Sequence, residues 1–198
     1  MRRIIWLVIV VLIVTSCGKK AKYDRLVQQE LASGVRYDSL FLGIHLGMTS
    51  EAFYKHCWDL NKQGLIRQGT GNLSVLYNLE YLKYPADMNF YPSFHEDKIY
   101  EMPVRFKYNG WSPWNRHLFS DSLQLDVLNL FKEWYGNDFI EINHTTRGKA
   151  FVKVKGNRRI SIFTKGEIEV HAVFTDMSLA EQVKKENEMK GKDEATTD

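Results

Sequence analysis

The side chains with which this chain could do chemistry are two cysteines, six histidines, 24 carboxylates and a crowd of aromatic rings. His56 and Cys57 offer a base beside a nucleophile. Adjacent residues on a helix point about 100° apart, so they cannot share the hydrogen bond that activates a thiol. Cys57 falls instead on an apolar stripe, where it reads as a small buried residue. His95-Glu96-Asp97 lies between two strand-like runs, and polar residues of a hairpin turn account for it. The remaining histidines, 45, 117, 144 and 171, are scattered along the chain. There is no HExxH, paired-carboxylate spacing, G-x-S-x-G elbow, P-loop or dinucleotide fingerprint. No Cys/His spacing suggests zinc, so neither a metal nor a dissociable cofactor is expected.

Aromatic rings carry more information. Tyr81 to Trp114 holds ten of the 26 aromatic residues in 34 of 198 positions, and most alternate along strand-like runs as core residues do. Trp111-Ser112-Pro113-Trp114 differs, because Gly110 and Pro113 mark a loop. Tyr108, Trp111 and Trp114 therefore form the candidate binding surface, since exposed Trp and Tyr anchor protein interfaces and stack on sugars. The competing reading packs both tryptophans between the two halves of the fold. A second candidate patch runs from Arg147 to Lys165, with seven basic residues (147, 149, 153, 155, 158, 159, 165) and no acidic one. It could face anionic lipid. Strand parity favours solvated pairs instead: with Val152 and Val154 inward, Lys153 and Lys155 point outward toward Glu141, Glu167 and Glu169.

Cys17 has a different chemistry. Met1-Arg2-Arg3 is followed by eleven apolar residues, Ile4 to Val14, then Thr15-Ser16-Cys17, which is the layout of an export signal over residues 1–16. Eleven apolar residues are too few for a span of about 20. Val14-Thr15-Ser16-Cys17 resembles the lipobox of bacterial lipoproteins. The resemblance implies cleavage before Cys17, a covalent diacylglycerol on its sulfur and an N-acyl chain (commonly palmitate) on the new amine. It implies attachment to the membrane through that anchor. Gly18, where members kept at the inner membrane often carry Asp, favours the outer membrane. Each buried CH₂ contributes about 0.8 kcal/mol, so several chains hold a domain on a bilayer. Cleavage removes Arg2 and Arg3, leaving 25 basic against 24 acidic residues and a side-chain charge of +1.

Elements must then position these residues. Residues 17–40 read as a lipidated N-terminus and tether. Its collar, Lys19-Lys20-Ala21-Lys22, either rests on acidic head groups or is solvated, and a short helix-like stretch from Tyr23 to Ser33 is marginal alone. The domain spans 41–178. Thr49 caps a helix from Ser50 to Gln63, with Phe53, Cys57 and Leu60 on one stripe and Gly64 as its stop. Period-two runs follow: Leu73 to Tyr81, Met88 to Phe94, and Tyr100 to Tyr108 with Tyr100, Met102, Val104, Phe106 and Tyr108 inward. Pro103 asks for an edge position or a bulge. A second helix from Asp121 to Tyr135 carries Leu123, Val127, Leu130 and Trp134, and ends at Gly136. Four more runs follow: Phe139–His144, Lys149–Lys155, Arg158–Thr164 and Glu167–Thr175. The expected fold is α+β, in two helix-plus-antiparallel-meander units (41–110 and 115–178) with the helices packed on one face of the sheet. Residues 179–198 read as a charged, disordered tail that starts as a short helix.

Phe41-Leu-Gly-Ile-His-Leu-Gly-Met-Thr49 leading into a helix resembles the opening of small envelope lipoproteins of the BamE group. The helix-plus-meander order resembles the β-lactamase-inhibitory-protein architecture. Both imply a non-catalytic module that binds another envelope protein. The formal charge of +3 and pI near 8.7 lack the basic stripe of a nucleic-acid binder, and two cysteines make no disulfide framework. The expectation is a lipid-anchored cell-envelope interaction or assembly module, not an enzyme. The alternative is an envelope hydrolase or glycan-binding protein whose site is assembled only by the tertiary structure.

Overall fold

The computed structural model describes residues 21–69, 74–144 and 148–194, with side chains except at 144, 187 and 190–194. The export signal, Cys17, most of the basic collar, Leu73 and Arg147 lie outside the described residues.

The chain enters through helix α1 over residues 21–32, ended by Gly34 at φ +65°. Thr49 then caps α2, Ser50–Lys62, by accepting the Ala52 N–H at 3.3 Å, and Gly64 at φ +73° follows its end. Five strands come next: β1 (Ile66–Gln68), β2 (Val75–Leu79), β3 (Ala86–Phe90), β4 (Ser93–His95) and β5 (Lys98–Tyr108). A 3₁₀ turn at Arg116–Leu118 leads into α3, Ser120–Tyr135, stopped by Gly136 at φ +90°. The chain closes with β6 (Ile140–His144), β7 (Gly148–Lys155), β8 (Arg158–Lys165), β9 (Glu169–Asp176) and α4 (Met177–Glu194).

All nine strands form one antiparallel sheet in the order β1-β2-β3-β5-β9-β8-β7-β6, with β4 also on β5. The fold is α+β with helices on the sheet. The seam between the early and late strands is β5 against β9, from Glu101↔Thr175 to Lys107↔Glu169. Because this register aligns Met102, Val104 and Phe106 with Phe174, Ala172 and Val170, one apolar face runs unbroken across the seam. Phe131 of α3 lands there, 5.9 Å from Phe106 and 5.5 Å from Phe174 between ring centroids. Phe53 of α2 joins the same core against Tyr91 and Phe94. Phe41 joins the same core, edge-on to Phe90 at 4.9 Å and 5.6 Å from Phe174 between centroids.

Four local expectations are corrected. Ile99, not Tyr100, enters the core: Ser93 pairs with Glu101 but Phe94 with Ile99, so Tyr100 is the extra residue of a bulge. Pro103 lies on a central strand, but the pairing with β3 stops at Val104 and that with β4 at Glu101, so only β9 flanks it. On β7, Lys153 shares the core face with Ile160, and its side chain is 2% exposed, with Nζ on Asp138 at 3.0 Å. Val152 and Val154 point to the reverse face, where Tyr23, Leu26 and Val27 of α1 and Met177 cover them. The charged tail, finally, continues as α4 to Glu194 and buries Val183. It lies beside Glu101, Arg159 and Thr175, which alternate with core residues, so α1 and α4 both occupy the face opposite α2 and α3. Among the described residues no helix is long and apolar enough to cross a membrane.

Residues 30–38 are thus a strap rather than a free tether. Glu30 accepts the Gly156 N–H at 2.6 Å, and Arg36 Nη2 meets Asp176 at 2.7 Å. Gly156 sits at φ +55°, and a Cβ there would collide with the Val35 carbonyl oxygen and approach the Tyr37 ring to 2.8 Å. Gly156→Ala should therefore lose about 1–3 kcal/mol in urea unfolding and expose the Arg36 bond to trypsin. Unchanged cleavage at Arg36 would show that the strap is not held by this contact.

Candidate functional site

The residues predicted to form a binding surface separate in space. Tyr108 ends β5 on the core face and is buried, its hydroxyl donating to Asp126 at 2.7 Å. Burial, then the Asp126 carboxylate, pushes its phenol above the usual range. It is a core residue, and its place on the surface is corrected by period-two packing alone. Trp111 is half-buried, 5.8 Å from Phe119 between centroids, with its indole N–H enclosed and without a partner among the described residues. Trp114 stands 83% exposed, three residues further along a loop anchored by Leu118 N–H donating to the Asn115 carbonyl at 2.8 Å. Neither competing expectation holds for the pair: one ring packs and the other projects.

His56 and the Glu96-Asp97 turn are held in structural roles. His56 donates through Nε2 to the Leu42 carbonyl at 2.6 Å, which ties α2 to the loop that enters it. Glu96 and Asp97, at φ +47° and +60°, form the turn between β4 and β5, and Asp97 accepts from the Ser50 hydroxyl at the start of α2. Among the described residues no cluster of three His, Cys, Asp or Glu side chains could hold a metal ion. The basic run is dispersed. Lys149 pairs with Glu141 at 2.9 Å, Arg159 donates to Thr175 at 3.4 Å, and Lys153 goes inward. Lys155 and Arg158 go elsewhere.

They line a cleft of about 690 Å³ at the C-terminal end of α3. The strap and its continuation, residues 36–42, form one wall; Tyr77 of β2 and Trp134-Tyr135 of α3 form another. Each wall is built by a local rule. Trp134 follows Phe131 by three positions on α3, and their rings stack 5.8 Å apart. Tyr135, the last helical residue, donates its hydroxyl to the Leu40 carbonyl at 2.8 Å and so pins the strap. Lys155 and Arg158 flank the β7–β8 turn as a paired register position. Lys155 Nζ lies 4.5 Å from the Tyr37 ring centroid, and the Arg158 guanidinium 4.9 Å from that of Tyr135.

Charge in the cleft is unbalanced. Asp38 is already held by Arg36 at 2.8 Å and by Asn157 at 2.9 Å. Arg158 is 6% exposed, and burial depresses its pKa, the cost of keeping a cation there. Its Nη1 donates to the Ser39 carbonyl, while Nε is buried without a partner. An unpaired buried donor of this kind costs about 1–3 kcal/mol. A pocket of this size, walled by aromatic rings and holding a few converging polar groups, has the form of a small-molecule site. Sequence reading missed it because its parts lie in four separated segments; the only local sign was Trp134-Tyr135 just before a helix-ending glycine.

Cys57 offers a direct check of the catalytic reading. Burial pushes its thiol up to about 11. Because the thiolate is the reactive form, alkylation by iodoacetamide at pH 8 should run roughly 100-fold slower than for free cysteine. It should then rise about tenfold per pH unit up to pH 10, read on the Cys57 peptide by mass spectrometry. A rate equal to that of free cysteine would restore Cys57 as a nucleophile.

Compared with family models, curated proteins and solved structures, this chain matches none.

Proposed function

We propose that this chain is a lipid-anchored cell-envelope protein, favoured at the outer membrane, and a non-enzymatic module that meets another envelope protein. The observation that carries the reading is Trp114, displayed at 83% exposure on a short loop braced by the packed ring of Trp111. A large amphipathic ring held out by a rigid base is the form of an interface anchor. The lipobox-like segment ending at Cys17 supports the anchor. Three residues separate Cys17 from residue 21, where the described part of α1 begins, and the four Cα steps span at most about 14 Å of extended chain. With α1 docked on β7, the domain would ride close to the bilayer. We also read α2 with β1–β5 and α3 with β6–β9 as two like units, each meander ending on a strand of the central seam.

The cleft beneath residues 36–42 favours a second reading, a saccharide-binding envelope protein. Hydrolysis is not supported by it: its single carboxylate among the described residues, Asp38, is engaged by Arg36 and Asn157.

Cys17→Ser should abolish palmitate incorporation and move the protein out of the membrane fraction. Trp114→Ala should leave unfolding stability within about 0.5 kcal/mol yet weaken partner recovery about tenfold or more. A photocrosslinker at position 114 should form a discrete adduct in the envelope that one at the exposed Leu125 of α3 does not. No adduct from 114, or the same adduct from both positions, would overturn the interaction surface.

A further inference from the structure

Arg158 presents an edge that nothing in the described structure uses. In a guanidinium the Nη1 group lies on the Cδ side, and Nε–H lies beside Nη2. Here Nη1 is taken by the Ser39 carbonyl, and neither Nε nor Nη2 has a partner among the described residues. That free Nε–Nη2 edge is a pair of parallel N–H donors, the arrangement that grips two oxygens of one carboxylate or phosphate. The guanidinium rests on the Tyr135 ring, 4.9 Å from its centroid, and its residue is 6% exposed.

Two further features of the cleft select what the anion is attached to. Lys155, half-buried above Tyr37, makes no ion pair within 4 Å among the described residues, although Asp138 feels its charge, and it supplies a second positive charge to the cleft. Tyr77 and the 36%-exposed Trp134 supply aromatic faces on the opposite wall, surfaces on which the C–H face of a sugar ring stacks. A volume of about 690 Å³ is in the range that encloses a ligand of one or two rings. We propose that this cleft binds an acidic saccharide, with its carboxylate or phosphate on the Nε–Nη2 edge of Arg158 and its ring against Trp134 and Tyr77. The site rests on the second reading above, that the cleft is a ligand site, and adds the charge and the residues that recognise it. It is independent of any protein bound at Trp114.

The test is calorimetric titration of the full-length protein in detergent micelles. The probes are a glucuronate-containing disaccharide, a hexose phosphate, neutral chitobiose and inorganic phosphate alone. Saturable binding of either acidic sugar, with chitobiose and inorganic phosphate each about tenfold weaker or undetectable, supports the site. Which acidic sugar binds better identifies the anion. Arg158→Gln should weaken binding about 10–100-fold, the loss of a charged bidentate contact. Because Arg158 also holds Ser39, Lys155→Met and Trp134→Ala provide variants at less buried positions, each with a several-fold loss and an unchanged far-ultraviolet circular dichroism spectrum. Equal affinity for chitobiose would overturn the acidic specificity while leaving a saccharide site. Equal affinity for inorganic phosphate would overturn the role of the ring. No binding of any sugar, or wild-type affinity in all three variants, would overturn the site itself.

Discussion

The pairing of β5 with β9 is the constraint on which the rest of this structure depends. Every other strand pair joins near neighbours in sequence; this one joins Glu101 to Thr175 and Lys107 to Glu169. Closing so long a loop has an entropic cost that short hairpins do not incur, and it is offset only once both meanders present matching apolar rows. When the register settles, Phe131 meets both Phe106 and Phe174 and the two halves share one core. A shift of one residue at the seam would turn Phe174, Ala172 and Val170 away from α3. Pro103 is tolerated because, at that level, β5 has a neighbour on one side only.

The sheet is covered unequally on its two faces, and this asymmetry makes the cleft. α2 and α3 cover the core face, while α1 and α4 cover parts of the reverse. The chain must therefore cross from one side to the other between Gly34 and Ile44, and it does so past the end of α3. Tyr135 pins that crossing at Leu40, Arg36 bridges Asp38 and Asp176, and Gly156 leaves room for Val35. The crossing segment cannot fill the space beside Trp134 and Tyr77. The result is a concave site whose cation is positioned by the same contacts that hold the strap.

Local signals were legible wherever a residue acts on its own neighbours. Thr49, Gly64 and Gly136 mark the ends of α2 and α3 to within a residue or two, because capping is decided within one turn. Met88, Phe90, Val104, Phe106, Val170, Ala172 and Phe174 alternate as half-buried strands do, and all are buried. β7 was misread for the opposite reason. Both of its faces are covered, so its valines and its lysine carry no usable parity. Nearness to Trp111 and Trp114 points Tyr108 to the surface, although its alternation with Phe106 puts it inside. For α4, a charged composition concealed a helix that needs only Val183 and a few neighbours for docking.

The class of the fold, the caps of its central helices and the alternation of most of its strands are readable from the sequence alone. These are matters of period, turn chemistry and short-range order. Packing sets the rest: that all nine strands form a single sheet, that residues 30–38 strap the domain, that Lys153 is buried and that Arg158 keeps an unused Nε in the cleft it shares with Trp134. Each of these depends on which residues arrive from distant segments. A side chain's partners, and hence whether its charge is spent or free, are set by packing and not by its neighbours in the chain.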